Sequence, residues 1–260
     1  MLAERTAVAG VVTQPDRPSG RGQRLTPSPV KAAAIELGLP VYQPATLRAL
    51  QPDLAGDAFD LFALASYGKL IPGWLLELPR LGSFNVHPSL LPAYRGATPI
   101  QTALRNGEHA TGVTIMLMDS GMDTGDVVLQ EAVPIDPGED YGRLHDRLAI
   151  AGAGLLGRAL ELAADGSLRA TPQAGEATYT RPLGKDDLAI DWSWEPRRIV
   201  DAVRAYSPLP GARAQLNGEI VKVLRAHVED GRVEIDELIA PNRGRMSGAA
   251  YLRGRTSHER

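Results

Sequence analysis

The sequence predicts a doubly wound, Rossmann-like, mostly parallel α/β domain over residues 1–183 and a small, mostly β domain over residues 184–260. Two observations lead to this fold class. Short apolar runs of strand length alternate with segments of helical periodicity as far as Ala164, as in βαβ units. Between Ala170 and Lys185 the sequence becomes rich in Thr, Pro and Gly and loses its periodicity, which indicates a linker. Short strand-like runs follow this linker.

The composition narrows the classes of function. With 260 residues and 43% hydrophobic content, the chain can bury a substantial core, and a net charge of -3 argues against a surface built entirely for nucleic acid. The sequence has no cysteine, which excludes disulfides and thiolate chemistry, and its five histidines lack metal-ligand spacing. No apolar run is long enough for a membrane span. We therefore expect a monomeric cytoplasmic protein without a metal site.

The first elements follow from local patterns. Gly10–Gln14 reads as a buried strand that leads into an exposed Arg- and Gly-rich loop, Pro15–Arg24. Ser28 followed by Pro29 predicts the start of a helix that Gly38 ends. The nearly continuous apolar run Phe59–Ala65 predicts a strand covered on both faces.

The later elements alternate in the same way. Further strands are expected at Leu39–Tyr42, Gly82–Val86, Gly112–Met118, Val127–Val133, Ala212–Leu216 and Ile220–Val228. The tail His227–Glu237 alternates only weakly. Helices are expected at Leu70–Leu78, Tyr141–Ala164 and Pro196–Tyr206.

An amide, an imidazole and a carboxylate form the candidate catalytic set. Asn85 and His87 are two residues apart on one predicted strand, so their side chains point to the same face near its carboxyl end. An Asn amide can donate to a carbonyl oxygen as negative charge develops there. Asp123, in the turn Met122–Asp126, could raise the pKa of the His87 imidazole or accept a proton through water.

The same residues have a plainer interpretation. Asn and Asp are common in turns, and a single His is usually a hydrogen-bonded structural group. The residue pattern alone leaves the catalytic and structural interpretations open. If the set is catalytic, the absence of a Cys or a G-x-S-x-G serine favours direct attack by an incoming amine, without a covalent intermediate.

Four ordered segments resemble the folate-dependent formyltransferase superfamily. These segments are Asn85–Pro92, Tyr94–Gly96, Pro99–Gln101 and Asp119–Asp126. The resemblance implies formyl transfer from 10-formyltetrahydrofolate to an amine, with Asn85, His87 and Asp123 as the catalytic residues. It also implies that Ser89, Leu90, Leu91 and Pro92 contact the folate and that Tyr67 and Gly68 form part of the wall around the pterin.

Two other regions resemble the methionyl-tRNA formyltransferases within that superfamily. The loop Thr13–Gly22 is similar to their signature loop, which implies an initiator methionyl-tRNA substrate. Arg17, Arg21 and Arg24 can then meet tRNA phosphates or bases, with Arg21 entering the acceptor stem. A merely solvated basic loop remains the alternative. A formyltransferase for a small amine and an inactive folate- or tRNA-binding remnant also remain open.

The C-terminal region, from Ile190–Trp192 onward, resembles the family's small β-barrel of the oligonucleotide-binding type. Its basic residues could face the acceptor arm of the tRNA, or they could serve only solubility. These residues are Lys222, Arg225, Arg232, Arg243 and Arg245.

The sequence departs from the family pattern in two places. Only Leu2–Thr6 stand where the family has a first strand and a Gly-Thr-Pro-type turn, so we expect neighbouring strands to lack a partner. The C-terminal domain between Ala226 and Gly254 is shorter than the family pattern, from which we expect weaker tRNA affinity before any loss of chemistry.

Overall fold

The computed structural model describes residues 6–19, 24–54 and 58–253 of the chain. The chain divides into two compact units, each built from several stretches of sequence. The first unit comprises Met1–Val86, Ile115–Leu129 and Ala153–Pro172. The second comprises His87–Thr114, Gln130–Gly152 and Gln173–Arg260.

The first unit begins with β1 (Val11–Val12), which pairs in parallel with β4 (Val41–Tyr42). Helix α1 (Pro29–Glu36) lies between them in sequence and has the predicted cap: the Ser28 hydroxyl accepts from the Lys31 amide at 3.1 Å. Pro29 starts this helix, because a first-turn residue needs no amide donor. Gly38, at φ +67°, then turns the chain toward β4. The sequence prediction of this segment is confirmed.

A four-stranded sheet carries the remaining strands of the α/β fold, in the order β5-β6-β8-β9. Its strands are β5 (Phe62–Leu64), β6 (Ser83–His87), β8 (Ala110–Leu117) and β9 (Val127–Pro134). Strands β5 and β6 are parallel, with Ala63 opposite Phe84 and Leu64 opposite Asn85. Phe84 and Ile115 have no exposed surface, so β6 and β8 lie in a closed core. The predicted α/β fold class is confirmed.

The prediction that Phe59–Ala65 forms a strand covered on both faces is wrong. Only Phe62–Leu64 is extended; Ala63 is exposed and its two neighbours are half-buried. Strand β5 is last in its sheet, and β1 and β4 form a separate two-stranded sheet among the residues that the structure describes. A strand with a neighbouring strand on only one side is less buried, whatever the apolar content of its own sequence.

The predicted helix Leu70–Leu78 is also shorter than expected. Helix α3 covers Gly73–Leu76, after a short α2 at Gln51–Leu54. Pro72 holds an extended conformation immediately before α3 (φ -68°, ψ 147°). Because a proline disfavours a helical conformation in the residue before it, the apolar residues upstream of Pro72 do not extend the helix.

Helix α5 (Tyr141–Ala164) has the predicted bounds and carries its apolar residues on one side. The preceding helix in the chain is α4 (Pro99–Arg105). Leu144, Leu148, Leu155 and Ala159 are at most 2% exposed. This spacing of four and seven residues belongs to the stripe that directed the prediction.

The C-terminal part of the second unit is an antiparallel sheet of four strands in the order β11-β12-β13-β14. The strands are β11 (Ala212–Leu216), β12 (Glu219–Glu229), β13 (Arg232–Ala240) and β14 (Gly244–Ser247). Helices α6 (Pro196–Tyr206) and α7 (Gly248–Arg253) flank them in sequence, and α6 has the predicted bounds. Two short strands of the same unit, β7 (Arg95–Gly96) and β10 (Tyr179–Thr180), pair in parallel. None of the helices in the described ranges is long and apolar enough to span a membrane.

Candidate active site

Asn85 and His87 occupy the carboxyl-terminal half of β6. Asn85 is half-buried and lies at the end of the first stretch of the first unit, which ends at Val86. His87 is 4% exposed and is the first residue of the second unit. The His87 Nε2–H donates to the carbonyl oxygen of Tyr94 at 3.0 Å. Because a carbonyl oxygen can only accept, Nε2 carries a proton in this contact. Both residues belong to β6 and are two positions apart, the spacing on which the sequence prediction rests.

The loop Ser89–Pro92 follows His87 and is held by one threonine. The Thr114 hydroxyl donates to the Ser89 carbonyl at 2.6 Å and accepts from the Leu91 amide at 3.2 Å. The Gln130 amide nitrogen donates to the Leu91 carbonyl at 2.8 Å and to the Thr114 hydroxyl at 2.9 Å. With its backbone groups paired in this way, the loop presents Leu90 and Pro92 as half-buried apolar surface. Sequence reasoning missed Thr114 and Gln130 because both act through the backbone of a distant segment.

The turn that carries Asp123 lies in the first unit. The Asp119 carboxylate accepts from the Gly121 amide at 2.9 Å and from the Thr124 hydroxyl at 2.7 Å. Asp123 itself is half-buried at φ +52°, a left-handed conformation that Asp tolerates better than most residues. A Cβ at Gly125 would lie 1.7 Å from the Leu117 carbonyl oxygen, so only glycine fits there. The turn is therefore fixed by backbone geometry as well as by charge.

Gln14, Arg17, Tyr67 and Gly68 line one cavity of the first unit. The cavity has a volume of about 660 Å³. It also contains Pro15, Thr26, Pro27, Ser28, Pro29 and Lys69. Two of the residues predicted to contact folate, Tyr67 and Gly68, thus share a cavity with Arg17, which was predicted to contact tRNA. Sequence reasoning missed Gln14, whose position just after β1 was a usable signal, since ligands collect at strand carboxyl ends.

Asp16 anchors the chain beside this cavity. Its carboxylate accepts from Lys31 Nζ and from Gln43 Nε2, both at 2.7 Å, and Gln43 Nε2 also donates to the Gln14 carbonyl at 2.9 Å. The hydrogen bonds from Lys31 and Gln43 lower the pKa of Asp16 below its usual value. Burial raises the pKa of Tyr67, which therefore keeps its phenol proton at neutral pH.

Two arginines predicted to contact tRNA lie near the cavity in sequence. Strands β2 (Arg17–Ser19) and β3 (Arg24–Thr26) form an antiparallel pair, in which Arg17 is opposite Thr26 and Arg24 is opposite Ser19. The two described ends of the loop are thus paired strands. Arg21 lies outside the described residues.

Ion pairing reduces the net positive charge of the basic residues predicted on the C-terminal sheet. Lys222 is exposed and lies directly across from Arg213 in the β11–β12 pair. Sequence reasoning missed Arg213 because the strand register alone places it beside Lys222. Three of the five predicted residues have carboxylate partners: Arg225 with Asp236, Arg243 with Glu219 and Arg245 with Glu237.

An amide and an imidazole near one strand end of an α/β fold are groups that can polarise a carbonyl. The family model described as formyl transferase matches residues 3–160, and the model described as formyl transferase, C-terminal domain, matches residues 182–234. The chain belongs to the formyl transferase family.

Relatives and solved structures agree with this membership. A protein of Pelotomaculum thermopropionicum called methionyl-tRNA formyltransferase is 41% identical in an alignment of 281 positions, which covers 95% of this chain and 88% of that protein. The structure of methionyl-tRNA formyltransferase from Clostridium thermocellum has a TM-score of 0.58 at 18% identity, covering 77% of this chain and 87% of that one. HypX from Aquifex aeolicus, in complex with tetrahydrofolic acid, has a TM-score of 0.66 at 19% identity, covering 85% and 43%. The two structures support the fold alone.

Proposed function

We propose that this formyl transferase moves a formyl group from 10-formyltetrahydrofolate to the amino group of initiator methionyl-tRNA. The observation that carries the proposal is the end of β6, where Asn85 and His87 are two residues apart and lead directly into the Ser89–Pro92 loop. The 41% identity to a protein called methionyl-tRNA formyltransferase supports this acceptor over a small amine. In the proposal, residues 1–183 carry the chemistry and residues 184–260 contact the tRNA.

The proposed chemistry is a direct attack of the amine on the formyl carbon. As the new C–N bond forms and the bond to the folate nitrogen breaks, negative charge develops on the formyl oxygen. The Asn85 amide is proposed to donate to that oxygen, the role of an oxyanion-hole donor. The amine loses one proton and the folate nitrogen gains one, so the transfer is balanced without any further reactant.

His87 and Asp123 are proposed to manage these protons. Since Nε2–H donates to the Tyr94 carbonyl, Nδ1 is the ring nitrogen that we propose takes part in proton transfer. A carboxylate such as Asp123 stabilises a protonated imidazole or relays the proton through water. Asn85, His87 and Asp123 therefore have separate roles, which separate variants can test.

The Ser89–Pro92 loop is proposed to contact the folate. Ser89 and Leu91 are buried and hydrogen-bonded to Thr114 and Gln130, which makes the loop rigid. Leu90 and Pro92 supply the half-buried apolar surface that a flat pterin or benzoyl ring requires. The apolar surface of this rigid loop therefore fits an aromatic co-substrate.

The test is to incubate the purified chain with 10-formyltetrahydrofolate and methionyl-tRNA and to measure formylmethionyl-tRNA by acid gel or mass spectrometry. Glycinamide ribonucleotide and an amino sugar nucleotide serve as alternative acceptors in matched reactions. We expect formylation of methionyl-tRNA only. A folded protein that formylates a small amine and leaves methionyl-tRNA unchanged would contradict the proposal.

A further inference from the structure

Part of the predicted linker, residues 170–185, is paired with the chain that follows β6. Strand β10 lies within it and runs parallel to β7, with Tyr179 opposite Arg95 and Thr180 opposite Gly96. A Cβ at Gly96, where φ is +104°, would lie 2.3 Å from the Thr180 carbonyl oxygen, so only glycine allows this approach. All four residues belong to the second unit. This part of the chain therefore has a defined place beside the loop after His87, which a linker does not need.

Thr178, immediately before β10, bonds to this loop through its amide, its carbonyl and its hydroxyl. The hydroxyl accepts from the Tyr94 amide at 2.8 Å. The Thr178 amide donates to the Pro92 carbonyl at 3.2 Å, and the Thr178 carbonyl accepts from the Arg95 amide at 2.9 Å. One residue thus holds Tyr94 itself and the backbone on both sides of it.

The backbone of Tyr94 needs this support because it is in a left-handed conformation. Its φ is +60°, a value that few residues other than Gly, Asn and Asp adopt without cost. Such a conformation persists where the surrounding structure fixes it, and residues of this kind cluster at functional sites. In this conformation the Tyr94 carbonyl oxygen accepts from His87 Nε2–H at 3.0 Å. His87 is 4% exposed, so water has little access to the ring.

We propose that Thr178 is a positioning residue, which orients the His87 imidazole through the Tyr94 carbonyl. The inference rests on the proposed function, in which His87 takes part in proton transfer through Nδ1. Because the imidazole is rigid and planar, the acceptor at Nε2 also fixes the direction in which Nδ1 points. Proton transfer needs heavy atoms about 2.6–3.2 Å apart, and a displacement of about 1 Å can lower a rate about 100-fold. Thr178 acts only through this geometry and does not touch the formyl group.

Thr178→Val tests the hydroxyl, since valine keeps the branched shape and both backbone groups but cannot accept from the Tyr94 amide. Thr178 is exposed, so the change opens no cavity in the core. We expect kcat for methionyl-tRNA to fall about tenfold, with KM for tRNA and for 10-formyltetrahydrofolate within about twofold. Thr178→Ser keeps the hydroxyl and should retain kcat within about twofold of the unaltered chain.

The ring proton of His87 gives a second readout that needs no activity. In protein made with isotope-labelled histidine, His87 Nε2–H should give a slowly exchanging nuclear magnetic resonance signal, because it is buried and hydrogen-bonded. The loss of this signal in His87→Gln identifies it. We expect Thr178→Val to speed its exchange about threefold or more and Thr178→Ser to leave it within about twofold.

Thr171→Val is the matched control for both readouts. Thr171 is an exposed threonine of the same predicted linker, and its backbone amide and carbonyl bond to Val127. Its substitution should change neither kcat nor the exchange of the His87 ring proton. If Thr178→Val does not fold, as judged by its melting curve, Thr178→Ala adds no bulk and is measured by the same criteria.

Three results would overturn the inference. The first is an unchanged kcat in Thr178→Val, which would show that the rate does not depend on the hydroxyl. The second is a fall in kcat with unchanged exchange of the His87 ring proton, which would place the cause of the loss away from the ring. The third is an equal fall in Thr178→Ser, which would assign the loss to a change of side chain and not to the hydroxyl.

Failure of this inference is distinguishable from failure of the proposed function. If the unaltered chain formylates methionyl-tRNA and Thr178→Val keeps its kcat, the function stands and Thr178 serves only the structure of the loop. The unaltered chain could instead formylate no acceptor while the His87 ring proton exchanges faster in Thr178→Val and not in Thr178→Ser. In that case Thr178 orients the ring and the proposed reaction fails.

Discussion

Strands β5 and β6 are hydrogen-bonded neighbours in one sheet, yet their facing residues have opposite environments. Ala63 of β5 is exposed, whereas Phe84, directly opposite on β6, has no exposed surface. Strand β6 has a strand on each side, and β5 is last in the sheet order. The strand that carries Asn85 and His87 is thus the better supported of the two. Tyr67 and Gly68, which line the cavity, follow the less buried strand in sequence.

The largest expected effect is a difference in stability between the two strands. Phe84→Ala removes a fully buried ring and should lower the free energy of unfolding by about 3–5 kcal/mol. Phe62→Ala removes a half-buried ring and should cost about 1–2 kcal/mol, because less surface leaves water on folding. Urea unfolding of both variants gives the two values. Equal losses would show that β5 contributes as much to the free energy of unfolding as β6 does.

The next effect concerns chemistry on β6. Asn85→Ala should lower kcat for methionyl-tRNA by about 10²–10³-fold, the cost of removing one donor to a developing oxyanion. Asn85→Asp, which keeps the shape and replaces the amide donor with an acceptor, should be no better. The dissociation constant for tRNA should stay within about twofold, as for a residue that acts in the transition state only.

Asn106→Ala is the matched control for this experiment, because Asn106 is exposed at the end of α4. It should keep both kcat and tRNA affinity. Unchanged kcat in Asn85→Ala would remove Asn85 from the catalytic set, and with it the observation that carries the proposed function.

The sequence predicted correctly those elements that depend only on residues close together in the chain. The start of α1 follows from Ser28 and Pro29, and the full length of α5 follows from its apolar stripe. The burial of β5 could not be predicted, because an apolar run reports what a strand would bury and not which strands lie beside it. The same limit applies to α3, where Pro72 outweighs the apolar residues before it.

Some features of the candidate site could also be predicted from the sequence, and others could not. Asn85 and His87 could be placed on one face from strand period alone. The cavity could not be predicted, because the bond from Gln14 to the Tyr67 carbonyl joins residues 53 positions apart. The ion pairs of the C-terminal sheet were equally hidden, since the partner of Arg225 is set by the pairing of β12 with β13. Long-range pairing is thus the information that the residue pattern lacked.

A smaller effect is expected on the tRNA side of the comparison. Arg17→Ala should weaken tRNA binding by a few-fold and reduce the slope of log K against log salt by about 0.7–0.9, the contribution of one phosphate contact. At saturating tRNA, kcat should be unchanged, because Arg17 is not proposed to touch the formyl group. Filter binding across a salt series measures the slope.

Arg48→Ala is the control for Arg17, as Arg48 is an exposed arginine of the same unit outside the cavity. Its removal should leave the salt slope unaltered. An unchanged slope in Arg17→Ala would assign the hairpin a structural role only.

The smallest expected effect is a pH dependence that comes from Asp16. Hydrogen bonds from Lys31 and Gln43 lower its pKa in the folded state. A lowered folded pKa contributes stability that is present above the unfolded value, near 3.8, and is lost as the pH falls through the folded value. The melting temperature of the unaltered chain should therefore exceed that of Asp16→Asn at about pH 6, and the difference should shrink toward about pH 3.

The pairing of Asp16 with Lys31 provides the check on this interpretation. Lys31→Met removes the hydrogen bond that lowers the pKa of Asp16 most, so the double variant should show little further loss beyond either single variant. If the melting-temperature difference grew as the pH fell, Asp16 would be destabilising in its charged form and the assigned direction would be wrong. Because Asp16 lies next to Pro15 and is tied to Gln43, the same variants should also loosen the Gln14 end of the cavity. If these variants bind tRNA more weakly at neutral pH but retain kcat, the hydrogen bonds of Asp16 support tRNA recognition and not the formyl transfer step.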